Sequence, residues 1–160
     1  MPTFDISSEF NKQEVTNAVD QCHREISNRY DFRDTKTSIS LMENSILLKS
    51  STLDRMLAAE QVLKEKFVKR NVSIRFLGDV KDETLPSEVK RIYNLKSGID
   101  QSTSKEIITL LKKSNKKIQC SYQTDTIRGT SKKRDDLQEA ITLIKASDIE
   151  TPLNFGNFRD

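Results

Sequence analysis

The chain has 160 residues, of which 34% are hydrophobic and 32% charged, and its formal net charge is +3. This length supports one domain or two small ones without help from disulfides or metal. The regularly recurring apolar residues exclude a disordered chain, and so mild a charge does not by itself indicate a partner.

The first half of the chain predicts a strand, a helix, a hairpin, a second helix and a strand. The basis is alternating apolar residues in the strands and a helical spacing of apolar residues in between. In chain order these elements are "TFDIS" at 3–7, a helix from Asn11 to Tyr30, a hairpin at 37–51, a helix from Ser51 to Phe67, and "NVSIRF" at 71–76. The polar stretch "LGDVKDETLPSE" at 77–88 is interpreted as a linker.

The same pattern then restarts. Its elements are a long strand "VKRIYNLK" at 89–96, a helix at 100–114, a hairpin at 116–131, a helix at about 134–146, and an extended piece at 152–158. Seven apolar positions repeat at an offset of 81, which indicates a duplication. The pairs are Ile26 and Ile107, Ile39 and Cys120, Leu41 and Tyr122, Ile46 and Ile127, Met56 and Leu137, Ala59 and Ala140, and Leu63 and Ile144. Each half therefore predicts a β-α-β-β-α-β, ferredoxin-like split βαβ unit in the α+β class.

The sequence lacks the patterns of a catalytic site. The single histidine is His23, no "GxxxxGK[ST]" or "GxGxxG" is present, and there are four glycines in all. Cys22 and Cys120 do not have the spacing of metal ligands, so we expect two reduced core cysteines and neither metal nor cofactor. The sequence therefore predicts a protein that is not an enzyme.

The N-terminal segment predicts a cytoplasmic protein. "MPTFDISSEF" has no basic start followed by an apolar run, as a signal peptide would. No apolar run approaches the ~18 residues of a membrane-spanning helix, so we expect no membrane contact.

Positive charge is concentrated in residues 105–134, which hold nine lysines and arginines against two carboxylates. Within "SKKRDDLQ", the aspartates fit the first turn of a helix with Ser131 as its candidate cap. The basic residues before the helix are then either solvent-exposed charges or contacts for an anion. They are Lys132, Lys133 and Arg134. A candidate polyanion patch comprises Lys112, Lys113, Lys116 and Lys117. If both sets share one rim, they would hold phosphates with strong salt dependence.

The stretch "NRYDFRD" at 28–34 is a second candidate site. Tyr30 ends the apolar stripe of the first helix and is expected in the core. Phe32 is either a staple that closes this helix or a ring that stacks on a base, with Arg29 and Arg33 on the phosphate. Tyr122 alternates with polar residues, so it is expected to face the helices, which argues against base stacking on the sheet.

Several motifs in order along the whole chain resemble the YajQ-like family of bacterial nucleotide-binding proteins. They are "FDI" at 4–6, "EVTNAVD" at 14–20, "RYDFR" at 29–33, "KSGI" at 96–99, "KKIQ" at 116–119, "KKRDDLQ" at 132–138 and "NFRD" at 157–160. The resemblance implies two ferredoxin-like halves that exchange their first strands. Residues 8–97 would form one domain, and residues 1–7 with 98–160 the other. It also implies binding of nucleotides or nucleic acid, with cyclic-dinucleotide signalling proposed for some members, and no catalytic activity.

The chain departs from this family in the second hairpin, where Thr124 stands in place of a usual glycine before the turn aspartate. Gly129 then falls within a strand, where it would weaken pairing or mark a bulge. In the split βαβ topology "FDI" and "NFRD" would be neighbours, so Phe158 is expected to anchor the tail and Arg159 to pair with an acid near "FDI".

Two hypotheses follow. In the first, the protein binds a nucleotide or RNA through Arg29, Arg33, Lys132, Lys133, Arg134 and Arg159, with Phe32 on a base. In the second, it is a protein-interaction adaptor of a transcription or translation complex.

Overall fold

A computed structural model describes residues 1–114 and 117–160 as an α+β fold. Within these ranges the strands are β1 (Thr3–Ser7), β2 (Ser38–Leu41), β3 (Ser45–Ser50), β4 (Val80–Leu85), β5 (Glu88–Asn94), β6 (Gln119–Gln123), β7 (Thr126–Thr130) and β8 (Asn154–Arg159). The helices are α1 (Lys12–Asn28), α2 (Leu53–Lys69), α3 (Gln101–Ser114) and α4 (Arg134–Lys145), and short 3₁₀ turns lie at Tyr30–Phe32 and Ile74–Leu77.

The strands form two antiparallel four-stranded sheets of matching order. One sheet runs β2-β3-β5-β4 and the other β6-β7-β1-β8. The third strand in each of these orders comes from the other half of the chain. It is β5 in the first sheet and β1 in the second. This arrangement confirms the predicted ferredoxin-like halves and the exchange of their first strands.

Residues Phe10–Lys96 form one compact unit. Asn11 caps α1 by accepting a hydrogen bond from the Glu14 amide, as predicted, and the stripe Val15, Ala18, Val19, Cys22 and Ile26 is buried. α1 and α2 cover β3, where Ile46 and Leu48 are fully buried. The burial of these apolar faces is the main favourable term in the folding of the unit.

A polar network joins α2 to the same sheet. The hydroxyl of buried Tyr93 donates to Glu60, and Arg91 donates to the Glu60 carboxylate at 2.7 Å and to Asp82 at 2.7 and 2.9 Å. These hydrogen bonds and ion pairs offset the cost of removing the charges of Glu60, Arg91 and Asp82 from water.

Residues Met1–Glu9 and Ser97–Asp160 form the other unit. Phe4 and Ile6 of β1 are fully buried among the apolar residues of α3, α4 and β7. Gly129 pairs with Phe4 and Cys120 in an unbroken register, so it marks no bulge. A Cβ at this position would collide with the Phe4 ring, so the glycine makes room for that ring.

The predicted linker at 77–88 is wrong. Residues 80–85 are β4, which pairs with β5 in a hairpin from Val80↔Tyr93 to Leu85↔Glu88. All six residues of β4 are exposed because the strand lies at the edge of its sheet. An edge strand without a buried face carries no alternating apolar pattern, which explains the error.

The predicted strand at 71–76 is also wrong. Asn71 has a positive φ of 58°, and Ile74–Leu77 form a 3₁₀ turn that buries Phe76 and Leu77. The fourth strand of this sheet is β4.

Two further findings concern the helices and the cysteines. Among the described residues, none of the helices has the length and apolar character needed to cross a membrane. Both cysteines are free thiols, and burial raises the pKa of Cys22 to about 12.

Candidate functional site

The start of α4 differs from its expected form. Lys133 occupies the N-cap position, and no side chain among the described residues caps the helix there. Ser131 instead donates a hydrogen bond from Oγ to Oδ2 of Asp136 at 2.7 Å, and the two residues are only 1% and 7% exposed. The expectation that Ser131 caps the helix is therefore wrong. The carboxylate of Asp136 turns into the protein rather than toward solvent.

The basic stretches before and after the second hairpin meet at one surface. Lys117, Lys132 and Lys133 line a depression of about 380 Å³, together with Gln119, Thr130 and the Ser131–Asp136 pair. The strand register explains this meeting, because Gln119 of β6 pairs with Thr130 of β7. Lys117 precedes that pair by two residues and Lys132 follows it by two, so antiparallel pairing places both at the same end of the ladder. We call this surface the lysine depression.

The predicted polyanion patch is brought together only in part. Lys117 lines the lysine depression, whereas Lys113 borders a separate shallow surface beside Lys105 and Glu106. Lys112 lies in the last turn of α3, where a cation suits the helix dipole. Lys116 lies outside the described residues.

A second depression, of about 210 Å³, borders the first turns of α4. Arg134, Gln138, Phe158 and Arg159 line it. Arg134 donates from Nε to Oδ1 of Asp160 at 2.6 Å and makes a second bond to Oδ2, which lowers the pKa of Asp160. Both side chains are more than two-thirds exposed, so water and salt screen this ion pair. We call this surface the Phe158 depression.

Arg29, Phe32 and Arg33 belong to the unit of residues 10–96. Arg29 donates to Asp31 at 3.0 and 2.8 Å and to Glu25 at 3.1 Å, and its guanidinium lies 5.0 Å from the centroid of the Phe32 ring. Phe32 is only 4% exposed, so its ring leaves little surface for a base. This geometry supports the helix-closing staple. A contact between Phe32 and a base stays a prediction.

Tyr30 was expected in the core and is 84% exposed, so that expectation is wrong. α1 ends at Asn28, and Arg29 is extended with φ −83° and ψ 134°. The 3.6-residue period of α1 therefore does not carry into the 3₁₀ turn, and Phe32 is buried in place of Tyr30.

The helix-free face of the sheet β6-β7-β1-β8 has a polar centre that the sequence did not single out. Arg128 donates to Oδ1 of Asp5 at 3.1 Å, and Asn157 donates to Oδ2 of Asp5 at 2.6 Å. Partial burial raises the pKa of Asp5, but these hydrogen bonds outweigh it and hold the pKa below its usual range. Arg159, expected to pair with an acid near "FDI", donates to Asn157 Oδ1 at 3.3 Å.

Tyr122 faces the helix side of this sheet, as predicted. It packs against the apolar core of its unit, and its hydroxyl donates to the Ile99 carbonyl at 2.5 Å. The ring is therefore unavailable for stacking on the open face. Within residues 1–114 and 117–160, no three His, Cys, Asp or Glu side chains cluster as metal ligands would.

Comparisons with known proteins place the chain among full-length relatives. A family model described as "Nucleotide-binding protein YajQ-like" matches residues 2–159. A nucleotide-binding protein of Hahella chejuensis is 44% identical over the whole of both chains, and one of Legionella pneumophila strain Corby is 43% identical over the same extent. A nucleotide-binding protein of Nitrosococcus oceani is 37% identical, again over the whole of both chains.

Proposed function

The chain belongs to the YajQ-like family, and from this premise we propose that it binds a nucleotide or nucleic acid through phosphate groups and catalyses no reaction. The observation that carries the proposal is the lysine depression, where Lys117, Lys132 and Lys133 converge from two sides of one strand ladder. The relatives named above are described as nucleotide-binding proteins, which supports this class of ligand.

The charges around the lysine depression favour an anion. Lysine is a compact point charge on a flexible stem, so several lysines adapt readily to a phosphate. The first turn of α4 adds the positive end of its helix dipole, and no side chain among the described residues caps it. Asp135 and Asp136 in the same first turn oppose an anion, and the hydrogen bond from Ser131 leaves the charge of Asp136 in place. The positive charge of the three lysines exceeds the negative charge of these two carboxylates.

The size of the lysine depression suits a small ligand as well as a strand. Its volume of about 380 Å³ falls within the ~300–1,000 Å³ typical of ligand pockets. A cyclic dinucleotide or mononucleotide would place a phosphate within it, whereas RNA would run across its rim. Either ligand fits a regulator that acts in the cytoplasm.

Fluorescence anisotropy tests the proposal directly. The full chain is titrated against labelled single-stranded RNA, GTP and cyclic di-GMP at two salt concentrations. We expect binding to weaken by about tenfold or more in the double variant Lys132→Ala/Lys133→Ala. The logarithm of the RNA association constant should fall with the logarithm of the salt concentration, with a slope of about −0.7 per phosphate contact. The double variant Lys105→Ala/Lys113→Ala is the matched control, because these exposed lysines line a different surface. Binding of none of the ligands, or equal binding by both variants, would refute the proposal.

An adaptor role is the second candidate, and β4 supports it. All six residues of this edge strand are exposed, including Val80 at 41% and Leu85 at 38%. An exposed edge accepts a strand from a partner protein by β-augmentation. However, Lys81, Asp82 and Glu83 lie on the same strand, and charges on an edge discourage such pairing. If the titration shows no nucleotide binding, the adaptor role becomes the leading candidate.

A further inference from the structure

The C-terminal strand contains an irregularity that changes where one aromatic ring points. β8 pairs with β1 regularly from Ser7↔Asn154 to Asp5↔Gly156, and then shifts to Thr3↔Arg159. Two residues, Asn157 and Phe158, therefore lie opposite Phe4 alone, which defines a β-bulge. Asn157 has a positive φ of 53°, and its side chain donates to Asp5 at 2.6 Å.

The bulge places Phe158 on the helix side of the sheet. In an unbroken strand, side chains alternate, so Asn157 would share the face of Phe155 and Phe158 would point to the other face. The extra residue reverses this order, and the Phe158 ring stacks on Phe4 with centroids 6.1 Å apart and planes 12° apart. Bulges next to functional sites often redirect a side chain in this way.

Despite this stacking, Phe158 is 54% exposed, and the exposed part of its ring lines the Phe158 depression. Arg134 and Gln138 of α4 line the same depression as the ring. The Arg159 guanidinium instead donates to Asn157 on the other face of the sheet. An exposed aromatic ring close to a cationic side chain such as Arg134 is an arrangement on which nucleobases stack. A glutamine amide matches the hydrogen-bonding edge of an adenine.

The Phe158 depression and the lysine depression flank the same residues. Lys133 lines one and Arg134 the other, and Cα atoms of consecutive residues are about 3.8 Å apart. A base and its phosphate are likewise joined through one sugar. A nucleotide that binds both surfaces would span the Lys133–Arg134 peptide.

We propose that Phe158 is the stacking platform for the base of the bound nucleotide, with Gln138 at the edge of the base and the phosphate in the lysine depression. This inference rests on the proposed function, and it adds a base-binding residue on a different surface. Asp160 holds Arg134 through an exposed ion pair that water and salt screen.

Nuclear magnetic resonance of the isotopically labelled full chain separates the two surfaces. The probes are AMP, adenosine, which lacks the phosphate, and ribose 5-phosphate, which lacks the base. We expect AMP and adenosine to shift the Phe158 ring and Gln138 side-chain signals in a saturable way, and ribose 5-phosphate to leave them in place. Signals of Ser131 and Asp136 beside the lysines would respond to AMP and ribose 5-phosphate.

Variants complete the test. Phe158→Leu retains an apolar contact with Phe4 but removes the aromatic face, so AMP affinity is expected to fall about tenfold. The affinity for ribose 5-phosphate would stay unchanged. Tyr30→Leu is the control, because it removes an aromatic ring that is 84% exposed and lies outside the depression.

The outcomes distinguish the two proposals. Phe158 signals that fail to move with both adenosine and AMP, or wild-type AMP affinity in Phe158→Leu, would overturn the stacking platform and leave the phosphate site standing. Ser131 and Asp136 signals that ignore both AMP and ribose 5-phosphate would refute the phosphate site. In that case the placement of the phosphate falls with it, and the response of Phe158 to adenosine decides only whether a base stacks on this ring.

Discussion

Thr124 adopts a backbone conformation that suits glycine. It is the first of two residues that join β6 to β7, because Gln123 pairs with Thr126. Its φ is 58°, which is unfavourable for a β-branched side chain, and hairpin turns with positive φ at this position usually contain glycine. This strain is the consequence of a threonine at a position whose backbone suits glycine.

We predict that Thr124→Gly stabilises the protein by about 1 kcal/mol. Relief of a left-handed non-glycine residue is worth about 1–3 kcal/mol, and the added freedom of glycine in the unfolded chain offsets about 0.4–1 kcal/mol of that. The midpoint of urea unfolding measures the change. Thr126→Gly is the control, since it lies in β7 and should lose about 0.5–1 kcal/mol. A lower midpoint for Thr124→Gly would contradict this account.

Individual residues also show the limits of sequence reasoning about the site. The charge run at 132–134 is visible in the sequence, but its partner Lys117 becomes a neighbour only through the register of β6 and β7. Phe158 was expected to anchor the chain end, and its contact with Phe4 agrees with that expectation. The exposure of the other side of its ring depends on a β-bulge that the local sequence pattern does not predict.

At the scale of elements, the network of Glu60, Arg91 and Tyr93 makes α2 sensitive to pH. Burial raises the pKa of Glu60, but hydrogen bonds from Tyr93 and Arg91 outweigh it and lower the pKa overall. A carboxylate whose folded-state pKa lies below its unfolded value stabilises the fold above that unfolded value, near 4.5. This stability is lost as the pH falls through the folded-state pKa.

We therefore predict that Glu60→Gln destabilises the protein by about 1–3 kcal/mol near pH 7 and flattens the fall of stability below pH ~4.5. Wild type and variant should converge at the lowest pH, where Glu60 is protonated. Urea unfolding across a pH series measures both effects. Glu88→Gln is the control, because Glu88 is more exposed and lies 3.8 Å from its partner Lys90. A constant difference between Glu60→Gln and wild type at every pH would contradict the assignment.

Elements with one buried face were predictable, and those without one were not. The stripes of α1, α2 and α4 follow the helical period because each packs a single face on a sheet. β4 has six exposed residues, so its sequence lacks an apolar face and resembles that of a linker. In 71–76 the alternation of Val72, Ile74 and Phe76 resembles that of a strand. Instead, Val72 is buried before a 3₁₀ turn at Ile74–Leu77, in which Ile74 is exposed and Phe76 and Leu77 are buried.

On the scale of the whole molecule, we propose that the two compact units are folding domains of different kinds. Residues 10–96 are continuous in sequence, whereas the other unit combines residues 1–9 with 97–160. Contacts between distant parts of a chain form more slowly, because closing the intervening loop costs entropy. We therefore predict that β3 and β5 become structured before β1 and β7.

Pulsed hydrogen exchange during refolding of the full chain checks this order. Amides of β3 and β5 should gain protection in an earlier phase than those of β1 and β7. The amides of α3, which belong to the discontinuous unit without relying on β1 for their own helical bonds, serve as an internal reference. Simultaneous protection of all four strands would show that the units fold as one.

The placement of β1 also has a consequence for protein synthesis. β1 is made long before β7 and β8, the two strands between which it lies. At roughly 5–20 residues per second, a ribosome takes on the order of ten seconds to produce the intervening chain. During that time Phe4 and Ile6, which end fully buried, have no sheet to enter. The nascent protein therefore carries the apolar segment "TFDIS" without either of its neighbouring strands through most of translation.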